Sequence, residues 1–193
     1  MMPVLRFLAG FLMGAIPFAK IAMLGTGIDI TKTGSKNPGF NNVLRVSKSR
    51  WRAAFTLAGD IFKGFVALFL FGGSWPIGIA SVVGHCWSPF LRFNGGKGVA
   101  TTVGVLLFLE PWIALACLPL YPLLRFIGRK IGWKQEGAIA SLTTMLVVST
   151  SVLALKGREP GAFAFILFAI VAVRHLPNLR EIAGLGPAPP RQG

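Results

Sequence analysis

Three short polar stretches stand out in an otherwise oily chain. Residues 34–42 read GSKNPGFNN, with Arg45 just beyond; residues 93–98 read FNGGKG; residues 174–180 read RHLPNLR. Each carries cations or amide donors, and the first two are rich in glycine. Glycine lets consecutive backbone N–H groups turn toward one centre, an anion-binding nest. Gly34, Ser35, Asn37 and Asn42 in the first stretch, and Gly95 and Gly96 in the second, are the candidates for such a cradle. Lys36, Arg45 and Lys97 add charge to neutralise phosphate, arginine as a planar fork and lysine as a point charge. The chemistry these residue types suit is the handling of a phosphorylated ligand. GGKG is not a Walker A loop. Lys97 is followed by Gly98 rather than Ser or Thr, and Leu91 stands where the first glycine would fall. Nucleotide hydrolysis is therefore disfavoured.

Plainer readings stand beside these. Glycine also makes simple turns. Ser35 alone can bond locally or cap a helix. Lys48, Arg50 and Arg52 read as anchors to anionic lipid. Asp60 and Lys63 lie three apart in an apolar run and share a helix face. Such a pair either neutralises itself or braces the loops from the interior. His85 reads as a hydrogen-bonded core histidine. His175 and Asn178 lie one turn apart if a helix runs through Pro177, and form either a ligand-binding face or an end cap.

The elements that position these stretches are membrane helices. Of 193 residues 53% are hydrophobic and only 13% charged, with a mean hydropathy of +0.66. Soluble domains carry about 25% charged residues, and charge is costly inside hydrocarbon. The balance of 20 Lys+Arg against 6 Asp+Glu, a formal +14, fits basic flanks on cytoplasmic loops rather than a nucleic-acid partner. Cys86 and Cys117 have no metal-ligand spacing and read as packing residues, without a disulfide. No Ala-x-Ala exit follows the first apolar run, so it reads as a retained helix.

About 20 apolar residues cross a bilayer core. That length rule divides the chain into spans at roughly 3–24, 53–72, 76–91, 99–109, 111–128, 137–155 and 160–174. The division at Glu110-Pro111 follows because proline cannot continue a helix. With alternating sides, the loops 25–52, 92–98 and 125–134 and the C-terminal end share one face and carry most of the cations. Arg6, Lys156 and Arg158 lie on the other. The positive-inside rule makes the cation-rich face cytoplasmic. The expected fold is an all-α integral membrane protein of about seven transmembrane helices, N-terminus outside and C-terminus cytoplasmic. Residues 1–183 form a single polytopic domain, and 184–193 a Pro/Gly-rich disordered tail. All three polar stretches then meet one face.

Together they resemble the bacterial acyl-phosphate–glycerol-3-phosphate acyltransferases. The first motif of that family is similar to GIDITKTGSKNPGFNN (27–42), followed by DIFKG (60–64); its second resembles GHCWSPFLRFNGGKGVATT (84–102); its third resembles HLPN (175–178). Lys36 stands where a small residue, often glycine, is usual, and Asn41 where Thr is usual. The resemblance implies acyl transfer from acyl phosphate to the 1-hydroxyl of glycerol 3-phosphate, giving lysophosphatidic acid and phosphate, at the bacterial inner membrane with the site facing the cytoplasm. Neither acyl-CoA nor acyl carrier protein serves such enzymes. The His-x4-Asp pair of other glycerolipid acyltransferases is absent, since Phe90 and Arg180 follow the two histidines at that spacing.

On this resemblance, Ser35 and the amides of 34–37 hold the acyl phosphate, and Arg45, Lys97, His175 and Asn178 hold glycerol 3-phosphate. The acyl tail lies in a groove open to lipid. The base is a substrate phosphate oxygen or His175. Asp60, Lys63 and His85 support the loops. No cofactor or metal is expected, and the sequence leaves the oligomeric state open, a monomer included. The alternatives are an anion or phosphate transporter and a lipid-binding scaffold.

Overall fold

A computed structural model describes residues 2–185, so of the expected tail 186–193 lies outside the described residues. The described chain is all helix and loop. Its contacts divide it into two compact units, one ending at Phe108 and one beginning at Leu109.

The first unit starts with α1 (Pro3–Ala15) and α2 (Phe18–Ala22), which together form one apolar segment of 20 residues. The chain breaks between them at Ile16-Pro17, where the proline supplies no N–H to the helical ladder. A loop then leads to α3 (Phe40–Ser47), α4 (Arg50–Phe71), α5 (Trp75–Cys86), a 3-10 turn (Pro89–Leu91) and α6 (Val99–Leu109). The expected division at Pro111 is observed: α6 ends at Leu109 and the next helix begins at Pro111.

In the second unit, α7 (Pro111–Cys117) and α8 (Leu120–Lys130) divide the expected 111–128 helix at Leu118-Pro119, and α9 (Glu136–Lys156) packs against α7, α8 and α10 (Arg158–Ile182). The Ser149 hydroxyl on α9 donates to the Ala164 carbonyl of α10 at 3.0 Å. Contrary to the expected end near 174, α10 runs on through Pro177.

Five segments are long and apolar enough to cross a membrane. α5 and α6, at 12 and 11 residues, are not. At 1.5 Å rise per residue each spans under about 20 Å of a core about 30 Å thick. The polarity of α4 is inside-out. Asp60, Lys63, Gly64 and Ala67 are buried, whereas Phe62, Phe69 and Leu70 are exposed.

Helices of the first unit approach closely where glycine removes the side chain. A Cβ on Gly14 of α1 would lie 1.9 Å from the Ser81 carbonyl oxygen of α5, and one on Gly84 of α5 would lie 2.0 Å from that of Phe11. This is the small-residue packing by which apolar helices associate in lipid. Gly14→Leu therefore forces α1 and α5 apart. The expected loss is at least the roughly 1–3 kcal/mol of an overpacked core, read as a lowered unfolding midpoint in detergent.

Candidate active site

The first polar loop is organised by Asn42, which is 1% exposed. Its Nδ2 donates to the carbonyls of Ile30 (3.2 Å) and Thr33 (3.0 Å), and its Oδ1 accepts from the Ser35 amide at 2.9 Å. Asn42 is thus an internal staple, and the expectation that it contacts phosphate directly does not fit this burial. The nest expectation changes too. The amide of Ser35 is taken by Asn42, that of Lys36 donates to Thr33 O (3.1 Å), and that of Gly39 to Asn37 O (3.0 Å). What the loop turns outward is side chains: Ser35, Lys36 and, on α3, Arg45 are exposed, with Asn37 half-buried. Gly34 (φ 64°) must lack a Cβ, which would sit 2.3 Å from Asn42 Oδ1. Lys36 has φ 59°, a left-handed conformation that explains why glycine suits this position. At the loop's outer edge the hydroxyl and amide of Thr31 hold the Asp29 carboxyl below its usual range, so it stays ionised beside Lys32.

The second loop rests on the end of α5. Gly95 N–H donates to Cys86 O (3.2 Å) and Gly96 N–H to His85 O (3.1 Å). A Cβ on Gly95 would meet His85 O at 2.0 Å, and one on Gly96 would meet His85 Nε2 at 2.1 Å. The two glycines are therefore required by close packing on His85, and their amides are spent on the protein. Half-buried Lys97 follows directly. Both readings of Asp60 and Lys63 meet here. Lys63 Nζ is 2.8 Å from Asp60 Oδ1, both residues being buried, so the pair neutralises itself. Lys63 Nζ also donates to Ile16 O at 2.8 Å, and the Ser88 hydroxyl donates to Ala15 O at 2.6 Å. These are carbonyls exposed by the helix break at Pro17. His85 Nδ1 lies 3.5 Å from Asp60 Oδ1, as expected of a core histidine.

A small cavity joins the elements. Pro38 of the first loop, Asp60 and Lys63 of α4, His85 of α5, Ser88 just after it and Gly96 of the second stretch line it. Ser88 was invisible as a functional residue in the sequence. Its signal was the Ile16-Pro17 break, which leaves the Ala15 carbonyl in need of a donor from elsewhere.

In the second unit, uninterrupted α10 places His175 and Asn178 one turn apart on one face. His175 is 2% exposed, and its Nδ1 is 2.8 Å from Val171 O. A carbonyl can only accept, so Nδ1 carries a proton, and a lone pair on Nε2 belongs to the ring's neutral form. Asn178 Nδ2 donates to Gln135 Oε1 at 2.7 Å. Among the described residues no three His, Cys, Asp or Glu side chains group as metal ligands.

Among the described residues, an all-helical fold with several spanning-length helices and a buried ion pair beside a helix break defines a polytopic membrane protein. The sequence profile described as glycerol-3-phosphate acyltransferase matches residues 4–184, and the chain belongs to that family. It is 37% identical over 187 residues to the glycerol-3-phosphate acyltransferase of Laribacter hongkongensis (strain HLHK9), covering 89% of this chain and 88% of the relative. It is 39% identical over 195 residues to that of Helicobacter pylori (strain HPAG1), covering 89% and 87%. Its fold is similar to the crystal structure of PlsY (YgiH), an integral membrane glycerol 3-phosphate acyltransferase, in its glycerol 3-phosphate form. The TM-score is 0.80 at 28% identity, over 94% of this chain and 92% of that one. The lysophosphatidic acid form of PlsY gives 0.78. The chain is an integral membrane member of an enzyme family that acylates glycerol 3-phosphate.

Two stability experiments follow from this geometry. Removing one partner of a buried pair strands the other charge, at about 3–5 kcal/mol. Asp60→Ala and Lys63→Ala should each depress the unfolding midpoint strongly, and Asp60→Leu/Lys63→Met should cost less than the two single changes summed. At Lys36 the backbone is the constraint. Lys36→Gly, which relieves the left-handed strain, should keep or raise the midpoint, whereas β-branched Lys36→Val should lower it by a further ~1 kcal/mol.

Proposed function

We propose that this protein moves a fatty acyl group from acyl phosphate to the 1-hydroxyl of glycerol 3-phosphate, giving lysophosphatidic acid and phosphate for phospholipid synthesis. The observation that carries the reading is the cavity lined by Pro38, Asp60, Lys63, His85, Ser88 and Gly96, because it ties the first motif, the Asp-x-x-Lys-Gly stretch and the second motif into one device.

Acyl phosphate is an activated mixed anhydride, so catalysis is mostly positioning and electrostatics. The Ser35 hydroxyl, Lys36 and Asn37 hold the donor's phosphate, by side chains rather than by the amides already engaged in the loop. Arg45, Lys97, His175 and Asn178 hold glycerol 3-phosphate. The 1-oxygen attacks the acyl carbonyl carbon. The bond from that carbon to the phosphoryl oxygen breaks, and phosphate leaves with the electron pair. A phosphate oxygen of the substrate takes the hydroxyl proton; a phosphate monoester with a second pKa of about 6 is a competent acceptor at neutral pH. His175 is the rival base, in the neutral form whose Nε2 lone pair the Val171 contact fixes.

The two units act as one polytopic domain in the bacterial inner membrane. α5 and α6, shorter than the core is thick, are the two further membrane segments beside the five spanning ones, with the N-terminus outside, the C-terminus cytoplasmic and the acyl tail in a groove open to lipid. A monomer suffices.

The test is phosphate release by purified protein in detergent. Release should require both acyl phosphate and glycerol 3-phosphate, and acyl-CoA should not replace the donor. Lys97→Ala should lower kcat/KM for glycerol 3-phosphate about 10–100-fold, the worth of a charge-assisted contact. No release, and no dependence on Lys97, would defeat the enzyme reading; activity only across sealed vesicles would make the protein a transporter. His175→Gln decides the base. Residual turnover at saturating substrate assigns the proton to the substrate phosphate, and lost turnover with unchanged binding assigns it to His175.

A further inference from the structure

Gln135 sits at the start of α9 in a left-handed conformation, φ 55° and ψ 42°. Such a backbone is uncommon for a residue with a side chain, and nearby Gly132 (φ 73°) shows where this loop uses glycine instead. The Gln135 side chain has a use that glycine would forfeit. Its Nε2 donates to Glu181 Oε2 at 2.6 Å, and its Oε1 accepts from Asn178 Nδ2 at 2.7 Å. Asn178 and Glu181 are three apart on α10, so one amide spans both. The loop that carries Gln135 is itself fixed. Trp133 N–H donates to Gly128 O at 2.8 Å, and Arg125 and Arg129 of α8 reach Glu136 at 3.2 and 3.3 Å.

The chemistry of this chain of contacts has a direction. An ionised carboxylate only accepts hydrogen bonds. Glu181 therefore turns the NH2 of Gln135 toward itself and the oxygen away. That oxygen in turn draws the NH2 of Asn178, so the Asn178 carbonyl oxygen points away from Gln135.

We propose that Gln135 and Glu181 are positioning residues that fix the Asn178 amide so that its oxygen accepts a hydroxyl of the glycerol moiety, leaving the phosphate to the cations. This rests on the proposed binding of glycerol 3-phosphate by Asn178.

The experiment compares wild type with Gln135→Ala, Glu181→Ala, Glu181→Gln, Asn178→Ala and Gln135→Ala/Asn178→Ala, all purified in detergent. KM for each substrate is measured, together with the thermal shift produced by glycerol 3-phosphate alone. Gln135→Ala and Glu181→Ala should raise KM for glycerol 3-phosphate about tenfold, the worth of one oriented hydrogen bond, and leave KM for acyl phosphate unchanged. Glu181→Gln, which keeps an acceptor oxygen, should recover most of that loss. Gln135→Ala should add nothing in the Asn178→Ala background. An unchanged KM, an equal rise for both substrates, or full additivity with Asn178→Ala would overturn the proposal. The thermal shift separates it from the donor assignment. Wild type that shifts with glycerol 3-phosphate but releases no phosphate sinks the acyl phosphate reading, while loss of the shift in both alanine variants still supports the positioning role. A shift that survives both variants, or none in wild type, overturns it. Should Gln135→Ala fail to fold, the Glu181→Ala and Glu181→Gln pair carries the same test.

Discussion

The first unit depends on satisfying two carbonyls. Pro17 interrupts the first apolar segment, and the oxygens of Ala15 and Ile16 lose the helical donors that would have covered them. In a membrane such groups must find partners within the protein. Ser88 supplies a hydroxyl to Ala15, and Lys63 adds an ammonium to Ile16, which also accepts from the Phe18 N–H at 3.2 Å. An ammonium at 2% exposure needs a counter-ion, which fixes Asp60 one turn earlier on α4. Asp60 in turn lies beside His85, and His85 is the surface on which Gly95 and Gly96 rest. The helix break thus rests against a buried ion pair, and the ion pair against the histidine on which the second polar loop sits.

This ordering changes what the glycines mean. Gly95 and Gly96 have the composition of an anion cradle, yet their amides bond to carbonyls at the end of α5 and their missing side chains make room for His85. In the first loop the Ser35 and Lys36 amides are likewise engaged. Backbone donors build the loops, so recognition of charge falls to Ser35, Lys36, Arg45 and Lys97 on the proposed reading. Side-chain cations bind through charge-assisted contacts that can form and release with the ligand, whereas amides tied to a buried carbonyl could be recruited only by dismantling the loop.

The sequence disclosed what depends on local composition. The lengths of five of the seven expected spans, the division at Pro111 and the shared face of Asp60 and Lys63 followed from hydropathy, proline chemistry and helical spacing. It disclosed less where one residue type serves two physical ends. Pro17 lies inside an unbroken apolar run of spanning length, so its break was hidden, whereas Pro177 suggested a stop and α10 runs through it. Asn42 reads as a polar ligand in a polar motif, but its amide complements three backbone groups up to twelve residues away. That matching is a tertiary property that no spacing encodes. Ser88 lies in the second motif without standing out there, Gln135 lies in none, and their roles exist only once their partners are placed.

Lys36 shows how the two levels combine. Its φ of 59° makes backbone conformation the first demand at that position, which glycine meets most cheaply. A lysine there accepts roughly 1–2 kcal/mol of strain and gains an exposed positive charge beside Ser35. In a chain of formal charge +14 a further surface cation adds little to overall attraction, because exposed charges separated by more than about 10 Å are largely screened at ordinary salt. Its effect is local, within reach of whatever anion Ser35 meets. Lys36 therefore adds a local positive charge to the first loop while holding the left-handed turn on which that loop depends.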